Sequence, residues 1–228
     1  YAVQHALEKG WDIKYLLSVK PTSTDCYLFH FATVEHTPLQ AEALGIKHYL
    51  LSCSVADPKK EAAIVEKFVA EKQQTSSEKV DAVLLGGTGL QATQIRSLQD
   101  ALRPYGIDVF AAHSGEDHET IFRKMLEEGF EIIITQVASE GLPKWLGKTV
   151  TKDNFEELKR DSEKYGFHLG FEGGYADTFV VDAPKFKKRI IIESMEKVIE
   201  AAYSGHIVLR NPKLVQKVKQ PSVAAAAA

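Results

Sequence analysis

Short apolar segments alternate with capped, amphipathic ones through the first half of this chain, and that rhythm leaves few folds open. Apolar runs at residues 13–17, 27–32, 48–53, 81–85 and 107–110 are separated by stretches carrying helix signals. Residues 1–9 read as a helix ended by Gly10, because glycine accepts the left-handed conformation a helix end needs. Thr37-Pro38-Leu39-Gln40 offers a capping hydroxyl, a proline for the first helical position and a glutamine able to close a capping box, and Gly45 stops that helix. Asp57-Pro58 opens another helix over residues 59–72, and a polar loop follows at 73–78. A further helix covers 91–102, ahead of the turn Pro104-Tyr105-Gly106. Parallel strands need crossovers of about a dozen residues, and these spacings supply them. The pattern predicts an α/β, Rossmann-like parallel sheet with helices on both faces, whose ligands bind beyond the carboxyl ends of the strands.

After Ala112 the rhythm changes. A helix over 117–128, a strongly β-forming segment at 131–137, a Gly/Pro/Trp loop at 141–147 and a helix over 152–164 lead to the loop Glu172-Gly173-Gly174. Short strands are expected at 179–181, 188–193 and 207–209. This composition fits a smaller α+β domain, with the boundary near 111–115: a nucleotide domain over 1–112, a substrate domain over 113–218 and a tail over 219–228. The five closing alanines, Ala224 to Ala228, are left out of the fold reading.

Net charge is −3, and the sole basic run, from Lys213 to Lys219, reads as a solvated tail or helix face, so no nucleic-acid or membrane surface is indicated. Two cysteines, Cys26 and Cys53, fit a reducing compartment, and no apolar run reaches membrane-spanning length, which makes the cytoplasm the expected location. The eight histidines show no zinc-binding spacing, and a Gly-x-Ser-x-Gly nucleophile turn is absent. No metal site is therefore expected from the side chains.

Two glycine turns carry the chemistry that can be read from residues alone. Gly86-Gly87-Thr88-Gly89 follows a strand and precedes a helix, where small residues let a ring or phosphate approach the backbone. A ligand-free turn explains it equally well. Glu172-Gly173-Gly174-Tyr175-Ala176-Asp177-Thr178 sets two acids around a glycine pair, suited to holding an amine or cation or to taking up a proton, with a solvated glycine turn as the plainer reading. Leu142, Trp145 and Leu146 read first as core.

Phe29-His30, Leu39-Gln40-Ala41-Glu42-Ala43-Leu44-Gly45-Ile46, Gly141-Leu142 with Trp145-Leu146-Gly147-Lys148, and Glu172-Gly173-Gly174 with Thr178-Phe179-Val180-x-Asp182-x-Pro184-x-Phe186 occur in order. Together they resemble the diphthine–ammonia ligase family of the N-type ATP pyrophosphatase (PP-loop) superfamily. The resemblance implies an ATP-dependent, AMP-forming amide ligase that uses ammonium to amidate diphthine, the modified histidine of translation elongation factor 2. It implies ATP, bound as ATP or AMP, with Mg²⁺, and it allows a homodimer. It places Phe29, His30, Gly86 and Gly87 at the nucleotide, Glu172 and Asp177 in catalysis, and Gly173, Gly174, Tyr175, Thr178 and Arg96 at the substrate. The family's Ser-Gly-Gly-Lys-Asp-Ser phosphate loop stands just before a Tyr-Ala pair, and Tyr1-Ala2 occupies that pair's place, which sets the loop upstream of residue 1.

The chain departs from the family pattern at three places. Tyr175 and Asp177 stand where Glu-Gly-Gly-Glu-x-Glu-Thr has its second and third glutamates, and His113-Ser114-Gly115-Glu116 replaces a Trp-Gly-Arg pattern. Of the usual Ser-x-Tyr-Gln-x-x-Arg, Arg96 is kept. A changed charge in a substrate pocket changes which substrate fits. Two further readings follow: a PP-loop enzyme adenylating another substrate, and a non-catalytic nucleotide-binding protein.

Overall fold

A computed structural model of the chain describes residues 1–22, 33–55, 57–86, 92–113, 115–171 and 173–217. The expected strand at 27–32, Cys26, Phe29, His30, Gly87 and Glu172 lie outside the described residues, as does the tail from 218 onward. The first half runs α1 (Ala2–Glu8), β1 (Leu16–Pro21), α2 (Thr37–Leu44), β2 (His48–Cys53), α3 (Pro58–Lys72), β3 (Ala82–Leu85), α4 (Ala92–Leu102) and β4 (Asp108–Ala111). β1 lies parallel to β2, from Leu16 opposite His48 to Pro21 opposite Cys53, and β3 lies parallel to β4, from Ala82 opposite Asp108 to Leu85 opposite Ala111. Val19 and Cys53 share one apolar cluster with Val65 and Val69 of α3, Leu98 and Leu102 of α4 and Val109 of β4. The fold is mixed α/β with parallel strand pairs. β1 starts at Leu16, later than the apolar run at 13–17 suggests; residues 12–15 are irregular, with Lys14 paired to Asp12 at 2.5 Å.

Helix starts separate into one kept expectation and one corrected. The Asp57 carboxylate accepts from the Lys60 amide at 2.9 Å with Pro58 in the first turn, satisfying an N–H that a helix start leaves orphaned. In α2 the capping box does not form. Thr37 is itself the first helical residue, its hydroxyl donates to the Val34 carbonyl at 2.7 Å, and His36 in the cap position makes no side-chain cap. A single turn of 3-10 helix at Val34–His36 runs straight into α2, so the helix has no free first turn for Thr37 to close. Gln40 is thereby released, and its Nε2 donates to the Val180 carbonyl at 2.9 Å in the second half.

That second half comprises α5 (His118–Glu127), β5 (Glu131–Ala138), β6 (Thr149–Val150), α6 (Phe155–Tyr165), β7 (Ala176–Asp182), β8 (Lys188–Ile191), β9 (Ser194–Ala201), β10 (Ser204–Arg210) and β11 (Lys213–Gln216). β5 is central and almost wholly buried, with β6, β7 and β10 antiparallel to it and β9 beyond β10. β8 and β11 form a separate antiparallel pair. The basic run is corrected here: its residues 213–216 are strand β11, with Leu214 packed against the core, Lys213 paired with Glu193 at 2.6 Å and Lys217 with Asp182 at 2.5 Å. Charges flanking a two-residue apolar step hide a short edge strand of this kind.

The helix α2 belongs to both halves. Ala43 is fully buried in the second core, the Lys187 amide donates to its carbonyl at 2.6 Å, and Lys188 pairs with Glu42 at 3.0 Å. Gly45 ends α2 at φ +73°, the Ile46 amide reaching back to the Ala41 carbonyl at 3.0 Å, and a Cβ there would stand 2.5 Å from the Lys187 ammonium. Gly45→Ala is expected to lower stability by ~1–2 kcal/mol, the usual penalty of a left-handed L-residue. Urea unfolding measures it; an unchanged midpoint would contradict this docking of α2.

Candidate functional site

The parallel strands of the first half come in two pairs, β1–β2 and β3–β4. Those strands end at Pro21, Cys53, Leu85 and Ala111, and the Thr22 amide beyond β1 closes onto the Cys53 carbonyl at 2.8 Å. Gly86 follows β3 directly, is exposed, and among the described residues has no atom within 4 Å of where a Cβ would stand. A flat ring or a phosphate can therefore lie against its backbone. The chain returning after β1 docks its 3-10 turn and α2 onto β7. His36 meets Phe179 edge-on at 6.3 Å, and Gln40 holds Val180. Burial pushes the His36 imidazole below its usual value, against the opposing pull of Glu35. β7 is thus fixed against the start of α2 and the turn before it, which Lys20 of β1 joins through Glu35 at 3.3 Å.

β7 carries Asp177 and Thr178, and the turn entering it carries Gly173, Gly174 and Tyr175. Asp177 stands opposite Gln136 and Thr178 opposite Ile134 of β5. Asp177 is half-buried and Thr178 exposed, which leaves the hydroxyl accessible and the carboxylate partly sheltered. Gly173 and Gly174 both have positive φ, +82° and +80°, the conformations that favour glycine. The Tyr175 ring folds back over the turn, 3.6 Å from where a Gly173 Cβ would be, while its carbonyl accepts from the Ala138 amide at 2.8 Å. Gly86 lies at the end of β3, and Arg96 projects from α4 with 84% of its side chain exposed and Asp100 at 4.0 Å. The five residues of the turn and β7 are therefore brought together, whereas Gly86 and Arg96 stand on other elements.

One feature of the turn has no signal in the sequence. Phe171 is buried at φ +60°, a conformation that costs an L-residue of this bulk about 1–3 kcal/mol. Its ring packs against Phe167 and edge-on to Phe122, at 6.5 and 5.9 Å, and its amide donates to the His168 carbonyl at 2.8 Å. Next to it, His118 and His168 meet edge-on at 4.7 Å, and a Cβ on Gly170 would come within 2.3 Å of His118 Nδ1. Packing over-determines the backbone just before Glu172, and strain maintained in this way concentrates at ligand-handling loops.

The loop after β5 brings Leu142, Trp145 and Leu146 to full burial, in keeping with the core reading of these residues. The Trp145 indole donates to Asp161 Oδ2 at 2.7 Å, and Lys144 pairs with the same oxygen at 2.7 Å. Burial pushes the Asp161 carboxyl up, but hydrogen bonds from Lys144 and Trp145 outweigh it and hold the group below its usual 3.8. Gly141 gives that loop the space it needs, since a Cβ would meet the Tyr165 ring at 2.2 Å.

Among the described residues no three His, Cys, Asp or Glu side chains cluster as a metal site, and no helix is long and apolar enough to cross a membrane.

The diphthamide synthase N-terminal domain family matches residues 1–107, and the diphthamide synthase C-terminal domain family matches residues 117–215. The diphthine–ammonia ligase of Homo sapiens is 29% identical over 225 residues, covering 89% of this chain and 81% of its own. That of Mus musculus is 26% identical over 249 aligned positions, covering 99% of this chain and 91% of its own. The Rattus norvegicus protein of the same name is 26% identical over 224 residues, with coverage of 89% and 81%. With both domains matched in order across nearly its whole length, the chain belongs to the diphthamide synthase family.

Proposed function

We propose that the protein is an ATP-dependent, AMP-forming ligase that uses ammonium to amidate diphthine on translation elongation factor 2 in the cytoplasm. The observation that supports this reading is family membership, together with the contact of the acid-bearing β7 with the segment between β1 and β2. In this reading residues 1–112 form a Rossmann-like nucleotide domain and residues 113–218 the substrate domain. ATP is assigned to the open backbone at Gly86, and the family resemblance assigns Phe29, His30 and Gly87 to the same nucleotide. In this reading Mg²⁺ is held largely by the phosphate oxygens of ATP and one or two carboxylates.

ATP supplies the chemistry by converting the substrate carboxylate into a mixed anhydride with AMP, releasing pyrophosphate. The chain's residues do the rest. Gly173 and Gly174 present backbone amides to the carbonyl oxygen as charge develops on it, a preorganised donor pair of the kind worth the most in a water-poor site. Glu172 and Asp177 take up the protons the attacking nitrogen sheds. Thr178 and Arg96 orient the substrate, and Tyr175 walls one side of the turn.

Tyr175 also favours a second reading, because an aromatic ring stands where the family carries a carboxylate: the same chemistry on a different acid. Incubating the full-length protein with ATP, ammonium and diphthine-bearing elongation factor tests the reaction class. AMP and pyrophosphate are expected, and release of ADP would rule the mechanism out.

A further inference from the structure

The central strand β5 breaks its own pattern beside the acid of β7. After the buried run Ile132-Ile133-Ile134 come two polar residues, Thr135 and Gln136. The register against β7 jumps at this point. Ile133 lies opposite Phe179 and Ile134 opposite Thr178, but Gln136 lies opposite Asp177 and Val137 opposite Ala176. Thr135 is the extra residue, a β-bulge. Side chains alternate along a strand, so without the bulge Thr135 would face Asp177 and Gln136 would turn to the other side of the sheet. With it, Gln136 stands directly across from Asp177, on the face that also carries Phe179. Directly opposed residues of an antiparallel pair have Cβ atoms about 4.5–5.5 Å apart, within reach of a glutamine amide.

The bulge is costly. Thr135 is fully buried in a central strand, and its hydroxyl has no hydrogen-bond partner. A buried orphan hydroxyl and an interrupted ladder both cost stability, and bulges gather next to active sites, where they re-aim a side chain. Gln136 is the side chain re-aimed. It is half-buried between the fully buried Thr135 and Val137, and among the described residues no hydrogen bond engages its amide. On its other side β10 sets His206 opposite it, held by Glu200, whose Oε1 lies 2.8 Å from His206 Nδ1. Asp177, Gln136 and His206 thus form one row across three strands, with the neutral amide at its centre.

We propose that Gln136 is a further substrate-binding residue, whose amide N–H groups hold the carboxyl group of the acid substrate in front of Asp177. The assignment rests on the amidation reading above. An acid substrate and Asp177 are both negative and both acceptors, so side by side they repel one another unless a donor stands between them. The glutamine NH₂ has two N–H groups, one for each carboxylate, and it brings no charge that would weaken Asp177 as a base. Its Oε1 is an acceptor, so a hold on ammonium is the competing role.

Two variants of the full-length protein test the assignment. Gln136→Met keeps the length and bulk of the side chain and removes both donors. It is expected to raise the KM for the diphthine-bearing factor about tenfold, the loss of one hydrogen bond, with kcat and the KM values for ammonium and ATP unchanged. Gln136→Glu keeps the shape and sets a second carboxylate opposite Asp177. Its like charge should favour the protonated form of Asp177 and carry the acid limb of the kcat–pH profile upward, which a merely structural residue would not do. His206 with Glu200, and His36 against Phe179, share this face and are the same in both variants. An unchanged KM for the factor in Gln136→Met, a raised KM for ammonium in its place, or an acid limb that stays put in Gln136→Glu would overturn the proposal. Calorimetry of factor binding separates it from the amidation reading. Binding weakened about tenfold in Gln136→Met, with no AMP formed by the unaltered protein, would sustain the residue's role and sink that reading; AMP formation with binding and KM untouched by Gln136→Met would do the reverse.

Discussion

Trp145→Ala is expected to lower the unfolding free energy by about 3–5 kcal/mol, the usual cost of emptying a large aromatic site in a core. Typical domain stability is only about 5–15 kcal/mol, so the second half should be partly unfolded at 37 °C. The side chain is fully buried, and its loss also strips one hydrogen bond from Asp161, leaving Lys144 as that carboxylate's partner. Trp145→Phe keeps most of the packing and loses the N–H, so about 1–3 kcal/mol should go. Its pH dependence is specific as well. The Asp161 carboxyl is held below its usual 3.8 in the folded protein, so its contribution is present above that value and lost as pH falls through the lower one. In Trp145→Phe that acid limb should weaken. Urea unfolding at pH 7 and pH 3 measures both effects, and a loss under 1 kcal/mol in the alanine variant would show that the loop is not anchored here.

Asp177→Asn is expected to cut kcat for AMP formation by about 100-fold or more while leaving the unfolding midpoint within a degree or two. Proton transfer by a positioned carboxylate contributes about 10²–10⁴-fold, and the amide keeps the shape without the basicity. The position on β7 opposite Gln136, half-buried and next to the exposed Thr178, allows the substitution without opening a cavity. Steady-state kinetics separates the outcomes. A raised KM at unchanged kcat would make Asp177 a binding group instead of a proton acceptor.

What could be read from the sequence follows from which interactions are local. Asp57-Pro58 starts α3 because cap, proline and apolar face lie within one turn of chain, and Gly45 ends α2 for the same reason. The alternation that predicts parallel strands is a short-range pattern, and the parallel pairs β1–β2 and β3–β4 appear as expected. β9 left no trace, since seven of its eight residues are exposed and no inward-facing alternation marks it. β11 was hidden inside a basic run because its partner β8 lies more than twenty residues earlier. In the site, the glycine pair and its acids are visible as a motif. The φ of Phe171, the reach of Gln40 to Val180 and the stack of Tyr1 on His113 all depend on contacts between distant segments. Gln40 was marked in the sequence for a capping box it does not form, and His113 as a departure from a family pattern with no chemistry attached to it.

The central claim is that this chain joins ammonia to the carboxylate of diphthine. Its most direct measurement is mass spectrometry of the elongation-factor peptide bearing diphthine after incubation with the full-length protein, ATP and ¹⁵N-ammonium. The account predicts ATP-dependent incorporation of one ¹⁵N as a primary amide on the modified histidine, with one AMP formed per amide. AMP formation with the diphthine carboxylate left unchanged would contradict it.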